Sequence, residues 1–381
     1  MNSPFQFGKI VEGSAFTDRE SDIQRLVLNF ENRLHTILIS PRRWGKSSLV
    51  KRASRVASRN HTDMSFCFID LFNIRNEREF YAAYARELIK STSNKVEEWV
   101  SLAQSFLNRI RPRFSFGTDP ITDFSIQFDL DTPLHAVDDV LELSEKIARK
   151  KKINIVVCLD EFQNLAHFEE PELFQKRLRS VWQHHQRVAY CLYGSKRSML
   201  ARLFEHKSMP FYKFGDVFYL DKIDIPHWRM YIMKQFRKTG KSIPSNLAVQ
   251  IAEWMHGHPY YVQQFSHMVW ITTSDEVNEN ILNAALDDLI HQNSSLFEKD
   301  MEGLSNTQVN FLRALSEGVN QSMSSSDILL KYQLGTSANV VKIKKALENK
   351  EIIEIHEGKP VFVDPAFELW LKRIYIRGRN E

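Results

Sequence analysis

Residues 35–50 read HTILISPRRWGKSSLV, and the fold turns on how this stretch divides. HTILIS (35–40) is a continuous apolar run of strand length, and KSSLVKRASRVASRN (46–60) is a helical pattern. Between them lies Ser-Pro-Arg-Arg-Trp-Gly, so strand, tight loop and helix follow without a spacer. The phosphate-binding loop (Walker A) pattern is G-x-x-x-x-G-K-[ST], and here only its first glycine is replaced, by Ser40. Gly45 lets backbone approach a phosphate, Lys46 reaches the β- and γ-phosphates, and the Ser47 hydroxyl is placed to bind Mg²⁺. The helix start beyond supplies unpaired N–H donors and a favourable dipole. Arg42, Arg43, Trp44, Gly45, Lys46, Ser47 and Ser48 are therefore the candidate phosphate-binding residues.

Working outward, MSFCFIDLF (64–72), INIVVCLD (153–160), RVAYCLYG (187–194) and the shorter VFYL (217–220) are also near-continuously apolar. Runs of this kind predict strands of a parallel sheet covered on both faces. The helical stretches between them complete an α/β alternation. INIVVCLDEF ends in Asp160-Glu161. A carboxylate at a buried strand's end suits the water shell of Mg²⁺, which assigns Asp160, and the adjacent Glu161 suits a general base acting on water. Loop and acidic pair together predict phosphoryl transfer from a nucleoside triphosphate to water. RVAYCLYG is followed by Ser195, which reads either as a polar sensor beside the γ-phosphate or as the cap of the helix KRSMLARLF.

Between a helix around 78–110 and another around 134–151 lies RPRFSFGTDPITDFSIQFDL, whose alternating halves predict a β-hairpin inserted near 111–130. The ATPase core thus spans 1–224. From 225 to 302 four periodic segments of helix length predict a small helical domain. From 303 to 381, NTQVNFLRALSEG, SSDILLKY and SANVVKIKKALENKE predict three short helices, and IIEIHEGKPVFVDP predicts two strands about a turn. That is a winged-helix layout.

Composition narrows the class. Apolar residues are 43% and charged residues 26% of the 381, which excludes collagen, coiled coil and wholesale disorder. No window approaches the ~20 apolar residues of a membrane span, and MNSPFQFGKIVEG lacks a signal-peptide pattern, so a cytoplasmic protein is expected. Cys67, Cys158 and Cys191 all sit in apolar runs and read as buried thiols. The 13 histidines show neither HExxH nor Cys/His spacing, against a zinc site. The 26 Phe, 11 Tyr and 7 Trp fall mostly in strands and helix faces and read as core rather than as a platform for single-stranded nucleic acid.

Taken together, SPFQFGKIVEGSAFTDRE, PRRWGKSSL, LDEFQ, YGSKRSML, FYKFGDVFYLDKI, GHPYY and VDPAFELWLK resemble the archaeal-type ATPase family. This is a branch of the AAA+/STAND P-loop ATPases related to origin-recognition ATPases. The resemblance implies an α/β P-loop core, a helical lid over 225–302 and a winged helix, with ATP bound between core and lid. It implies that Val11, Phe16 and Arg19 border the adenine and that Gly257 and Pro259 match the G-x-P of the lid. By themselves, the residues GHPYY read as a helix stop followed by a proline start. Members often carry an arginine near FYKFG that acts across a subunit interface. Here the nearest base is Lys213, with Arg197 as another candidate, and the lid helix YYVQQFSHMVW offers no sensor arginine. With Ser40, these departures point to nucleotide binding with slow or partner-stimulated hydrolysis.

Two readings of the C-terminal module stay open. Lys342, Lys344 and Lys345 on its third helix favour contacts to duplex DNA. Residues 301–381 carry 11 Lys+Arg against 10 Asp+Glu, a net of +1, which favours a nucleotide switch that binds a protein partner in regulation or defence. A finger supplied in trans would require a homo-oligomer.

Overall fold

The computed structural model describes residues 2–376 except 12, 14–15, 94–95, 107–112, 116–123, 128–133 and 357. The chain forms two compact units, residues 10–221 and residues 1–9 with 222–381.

In the first unit the elements run α1 (Glu20–Glu31), β1 (Thr36–Ile39), α2 (Lys46–Asn60), β2 (Met64–Asp70), α3 (Glu77–Thr92), α4 (Val96–Phe106), β3 (Arg113–Ser115) and β4 (Ser125–Gln127). They continue through α5 (Leu134–Leu141), α6 (Leu143–Lys151), β5 (Asn154–Asp160), a 3₁₀ turn (Phe162–His167), α7 (Pro171–Trp182), β6 (Val188–Gly194), α8 (Arg197–Glu205) and β7 (Asp216–Tyr219). The five long-range strands form one parallel sheet in the order β2-β5-β6-β1-β7. The apolar runs are continuous because the sheet buries both faces. Ile37, Ile39, Val157 and Leu159 enter one core cluster, whereas Leu38, Val156 and Cys158 enter the other. All three cysteines are buried and unpaired.

Two expected helices are each divided. The first splits into α3 and α4, and the second breaks at Glu142 between α5 and α6. β3 and β4 pair antiparallel, with Phe114 opposite Ile126. The Gly-Thr-Asp-Pro turn expected between them, and the ends of the 111–130 hairpin, lie outside the described residues.

A buried histidine pair contributes to the acid response of this unit. The His35 ring stacks on Phe214 at 4.3 Å, and its Nδ1 accepts from the Tyr190 N–H at 3.3 Å. His185 Nδ1 lies 2.9 Å from the Tyr190 hydroxyl. Burial drops both rings from 6.5 to about 4. Below 6.5 the unfolded chain binds protons that the native state refuses, so stability falls as pH falls from there toward 4. Each ring contributes a slope of about 1.4 kcal/mol per pH unit. In urea unfolding of the whole chain, His35→Gln should therefore reduce the loss of stability by about 1.4 kcal/mol per pH unit in that window. The same pH dependence in His35→Gln and the native chain from about pH 6.5 to 4.5 would refute the neutral ring.

The second unit contains α9 (Ile225–Lys238), α10 (Ser245–Trp254), α11 (Pro259–Thr272), α12 (Glu279–Glu302), α13 (Asn306–Ser316), α14 (Ser326–Lys331) and α15 (Ser337–Asn349). β8 (Ile353–His356) and β9 (Lys359–Phe362) follow as an antiparallel wing, then α16 (Pro365–Trp370) and a π-helical turn (Leu371–Ile376). One hydrophobic cluster runs through the whole unit and includes Phe5, whose ring packs on Tyr231 and Phe236. α12 continues ten residues beyond the apolar pattern that ends near 292, because Phe297 and Met301 extend its buried stripe at i, i+4 spacing. Among the described residues no helix is long and apolar enough to cross a membrane.

Candidate functional site

The loop between β1 and α2 is shaped by its backbone. Arg43 and Gly45 both take left-handed conformations, with φ of 63° and 88°. A Cβ at Gly45 would meet nothing within 4 Å, so the glycine is required by its dihedral angle rather than by space. Ser40 is fully buried and donates its hydroxyl to the Pro41 carbonyl at 3.1 Å. Gly45 caps α2, which leaves the first N–H groups of that helix without intrahelical partners at the loop. Lys46 begins the helix and is only 7% exposed.

The sheet order brings the acidic pair to this loop. β6 lies between β1 and β5, so the carboxyl ends of three strands deliver Lys46, Ser195 and Asp160-Glu161 to one place. Ser47 Oγ donates to Asp160 Oδ2 at 2.6 Å. Lys46 Nζ pairs with Glu161 Oε1 at 3.2 Å. Glu161 Oε2 accepts from Gln163 Nε2 at 2.5 Å, from the Ser195 N–H at 3.1 Å and from Ser195 Oγ at 2.8 Å. Arg42 Nε reaches Ser195 Oγ at 3.5 Å.

The two carboxylates are held in opposite electrostatic states. Burial raises Asp160 above the usual carboxylate range, and Lys46 and the Ser47 hydroxyl offset that only in part. Burial also opposes the charge on Glu161, but Lys46, Gln163 and Ser195 together outweigh it and hold Glu161 below the usual range. Glu161 itself sits at φ 52°, a strained conformation for a residue with a side chain. One carboxylate held below the usual range and one raised above it thus stand side by side at a helix N-terminus.

The other predicted site residues divide. The Val11 N–H donates to Ser48 Oγ at 2.9 Å. The Trp44 side chain is buried in the core cluster against which Phe16 packs. Arg19 is 6% exposed, with Nη1 on Asp22 at 3.3 Å and Nη2 buried without a hydrogen-bond partner. Ser195 does not cap α8, whose capping position is Lys196. Arg197 lies over the Tyr219 ring at 4.8 Å, and Lys213 is exposed. Pro259 belongs to the second unit, where it opens α11 after Gly257 at φ 65°. Lys342 and Lys345 are exposed on α15, and Lys344 is half-buried.

Two residues escape the sequence reading. Gln163 clamps Glu161, and Gly194 leaves room for it, since a Cβ there would lie 1.9 Å from Gln163 Oε1. The only sequence signal for the first is its place two positions after Glu161.

Two family models match the chain. The family described as an ATPase domain predominantly from Archaea matches residues 16–265, and a probable winged helix domain matches residues 295–373. The Walker-type ATPase of Pyrococcus abyssi has a similar structure, with a TM-score of 0.68 at 17% identity over 97% of this chain and 99% of that one. The ORC2 protein of Aeropyrum pernix, in its ADPNP–ADP complexes, gives a TM-score of 0.54 at 14% identity over 99% and 100% of the two chains. At such identities the likeness shows the fold. No curated protein matches the sequence.

Proposed function

Because the chain belongs to the family of ATPase domains found predominantly in Archaea, we propose that it is a Mg²⁺-dependent ATPase whose nucleotide state governs contacts of its winged helix with DNA. The observation that carries the reading is the Lys46–Glu161 ion pair beside the Ser47–Asp160 hydrogen bond. Lys46, the α2 N-terminus and Arg42 bind the phosphates, Gly45 admits them, and Arg43, Trp44 and Ser48 complete the loop. The hard oxygens of Ser47 and Asp160 fit Mg²⁺, a cation that takes oxygen ligands. When bound, Mg²⁺ supplies charge neutralisation at the phosphates.

The protein's own steps follow from the pair. An incoming triphosphate competes with Glu161 for Lys46 and draws the ammonium away. Glu161 loses its strongest counter-charge, its proton affinity rises, and it accepts a proton from the attacking water. Gln163 and Ser195 keep its second oxygen in place meanwhile. Ser195 thereby links the base to Arg42 and the phosphates, as a sensor would. Val11, Phe16 and Arg19 contribute to the adenine side. The chain passes between units just before Val11, whose amide holds the P-loop helix, and this supports coupling of nucleotide state to lid and winged helix. A cytoplasmic location accords with three buried, unpaired thiols.

The exposed Lys342 and Lys345 on α15 support duplex DNA as the partner. A second reading, a slow switch that binds protein or another copy of itself, is favoured by Leu330 and Val341, exposed by 83% and 66% on the same module. ATP hydrolysis by the whole chain with and without duplex DNA, at low and physiological salt, separates them. Stimulation that fades with salt and is lost in Lys342→Glu/Lys345→Glu supports the DNA reading. Turnover indifferent to DNA at both salts would sink it.

A further inference from the structure

Outside the ATP site, an open groove of about 590 Å³ lies between α2 and the edge strand β2, and its cations and rings face the same space. Lys51, Arg55 and Arg59 line it from the helix, and Phe66 and Phe68 line it from the strand, with no acidic residue in the lining. The three bases recur at i, i+4 and i+8, so they form one row along the helix, about 6 Å apart and about 12 Å end to end along its axis. A row suits a linear polyanion; a single phosphate would be gripped by converging donors. Three of the four serines of the groove do not supply such donors, because Ser54, Ser65 and Ser91 already give their hydroxyl protons to main-chain carbonyls.

The rings carry the second half of the argument. β2 is the edge of the sheet, so the face bearing Phe66 and Phe68 is only half-covered, although the run MSFCFIDLF reads as core throughout. The two rings lie nearly parallel, 6.4 Å apart with an interplanar angle of 21°, and Phe66 is braced edge-on by the buried Phe30. Lys51 Nζ stands 5.8 Å from the Phe68 centroid. A row of cations beside half-exposed aromatic rings is the pairing that tracks a phosphodiester backbone and stacks unpaired bases. We propose that this groove binds a short segment of single-stranded nucleic acid, with phosphates along Lys51, Arg55 and Arg59 and bases against Phe66 and Phe68. The lining includes neither Lys46 nor any residue of the winged helix, so the proposal stands or falls apart from the ATPase reading.

The test is fluorescence anisotropy of a labelled 12-nucleotide oligothymidylate with the full chain, across a salt series. Arg55→Glu/Arg59→Glu should weaken binding at least ~10-fold and lower the salt slope by about 1.4, the share of two single-strand phosphate contacts. Phe68→Leu should weaken it about 5-fold or more while leaving the salt slope unchanged. Binding of a fluorescent ATP analogue, unchanged in both variants, would establish that they are folded. Wild-type affinity in the charge-reversed variant, or loss only in Lys342→Glu/Lys345→Glu, would overturn the proposal. So would a linear polyphosphate that competes equally well while Phe68→Leu has no effect, which would make the groove a general polyanion site. A duplex of the same length that depends on Arg55 and Arg59 when the single strand does not would overturn it as well.

Discussion

Lys46→Ala is expected to abolish tight ATP binding, and Glu161→Gln to keep binding while losing hydrolysis. The lysine is buried and its ammonium lies 3.2 Å from Glu161, so removing it costs both the phosphate contact and the counter-charge of a carboxylate. Truncating one member of a desolvated charged contact typically costs about 2–5 kcal/mol, or roughly 30- to several-thousand-fold in Kd. Glu161→Gln acts in the opposite sense on binding. Lys46 no longer has to leave a carboxylate, so ATP affinity should be equal to or tighter than that of the native protein. Without the base, turnover should fall by about 10²–10⁴. Titration with a fluorescent ATP analogue and phosphate-release kinetics on both variants read the two effects separately. Undiminished ATP binding in Lys46→Ala would sink the phosphate-loop assignment. Native turnover in Glu161→Gln would remove the glutamate as base and leave the loop standing.

Gly194→Ala is the second large effect, although it adds only a methyl group and touches no substrate. Its Cβ would lie 1.9 Å from Gln163 Oε1 and 3.3 Å from the Glu161 Cα. The glutamine tip is the softer of the two, so it moves and releases the Glu161 oxygen that it holds at 2.5 Å. Misplacing a reacting group by about 1 Å costs on the order of 10²-fold in rate, so a 10- to 100-fold drop in turnover is expected with ATP affinity little changed. Because a flexible side chain yields first, the stability loss should stay near about 1–2 kcal/mol. Coupling supplies the control: in Gln163→Ala the clash partner is gone, and adding Gly194→Ala should then cost almost nothing more. Fully additive losses in the double variant would show that Gly194 acts through something other than Gln163.

Much of the chemistry was legible in single residues. The run HTILIS, the loop ending in Gly45-Lys46-Ser47 and the helix after it lie within 26 consecutive residues, so local backbone preference and phosphate chemistry both register there. The end of INIVVCLD was equally readable, because a carboxylate at a buried strand end is conspicuous in any sequence. The three helices and wing of the C-terminal module came from caps and alternation, which are local signals too. The β2 rings were read as core because a near-continuous apolar run cannot tell a central strand from an edge strand. The end of α12 was placed short for a related reason: Phe297 and Met301 are two widely spaced apolar residues in a polar stretch, and only their burial shows that the helix goes on.

The sequence by itself therefore determined the parts: a parallel α/β core, a phosphate loop, an acidic strand end, a helical segment and a winged helix. Tertiary structure alone decided their conjunction. Ser47 meets Asp160 across 113 positions of chain, and the β6 strand end sets Ser195 against Glu161 across 34. Strand order creates both contacts, and strand order is set by which apolar faces bury one another over the whole sheet. The same burial splits the acidic pair into a raised Asp160 and a lowered Glu161: Lys46 and Ser47 offset the desolvation of Asp160 only in part, whereas Lys46, Gln163 and Ser195 together overcome that of Glu161.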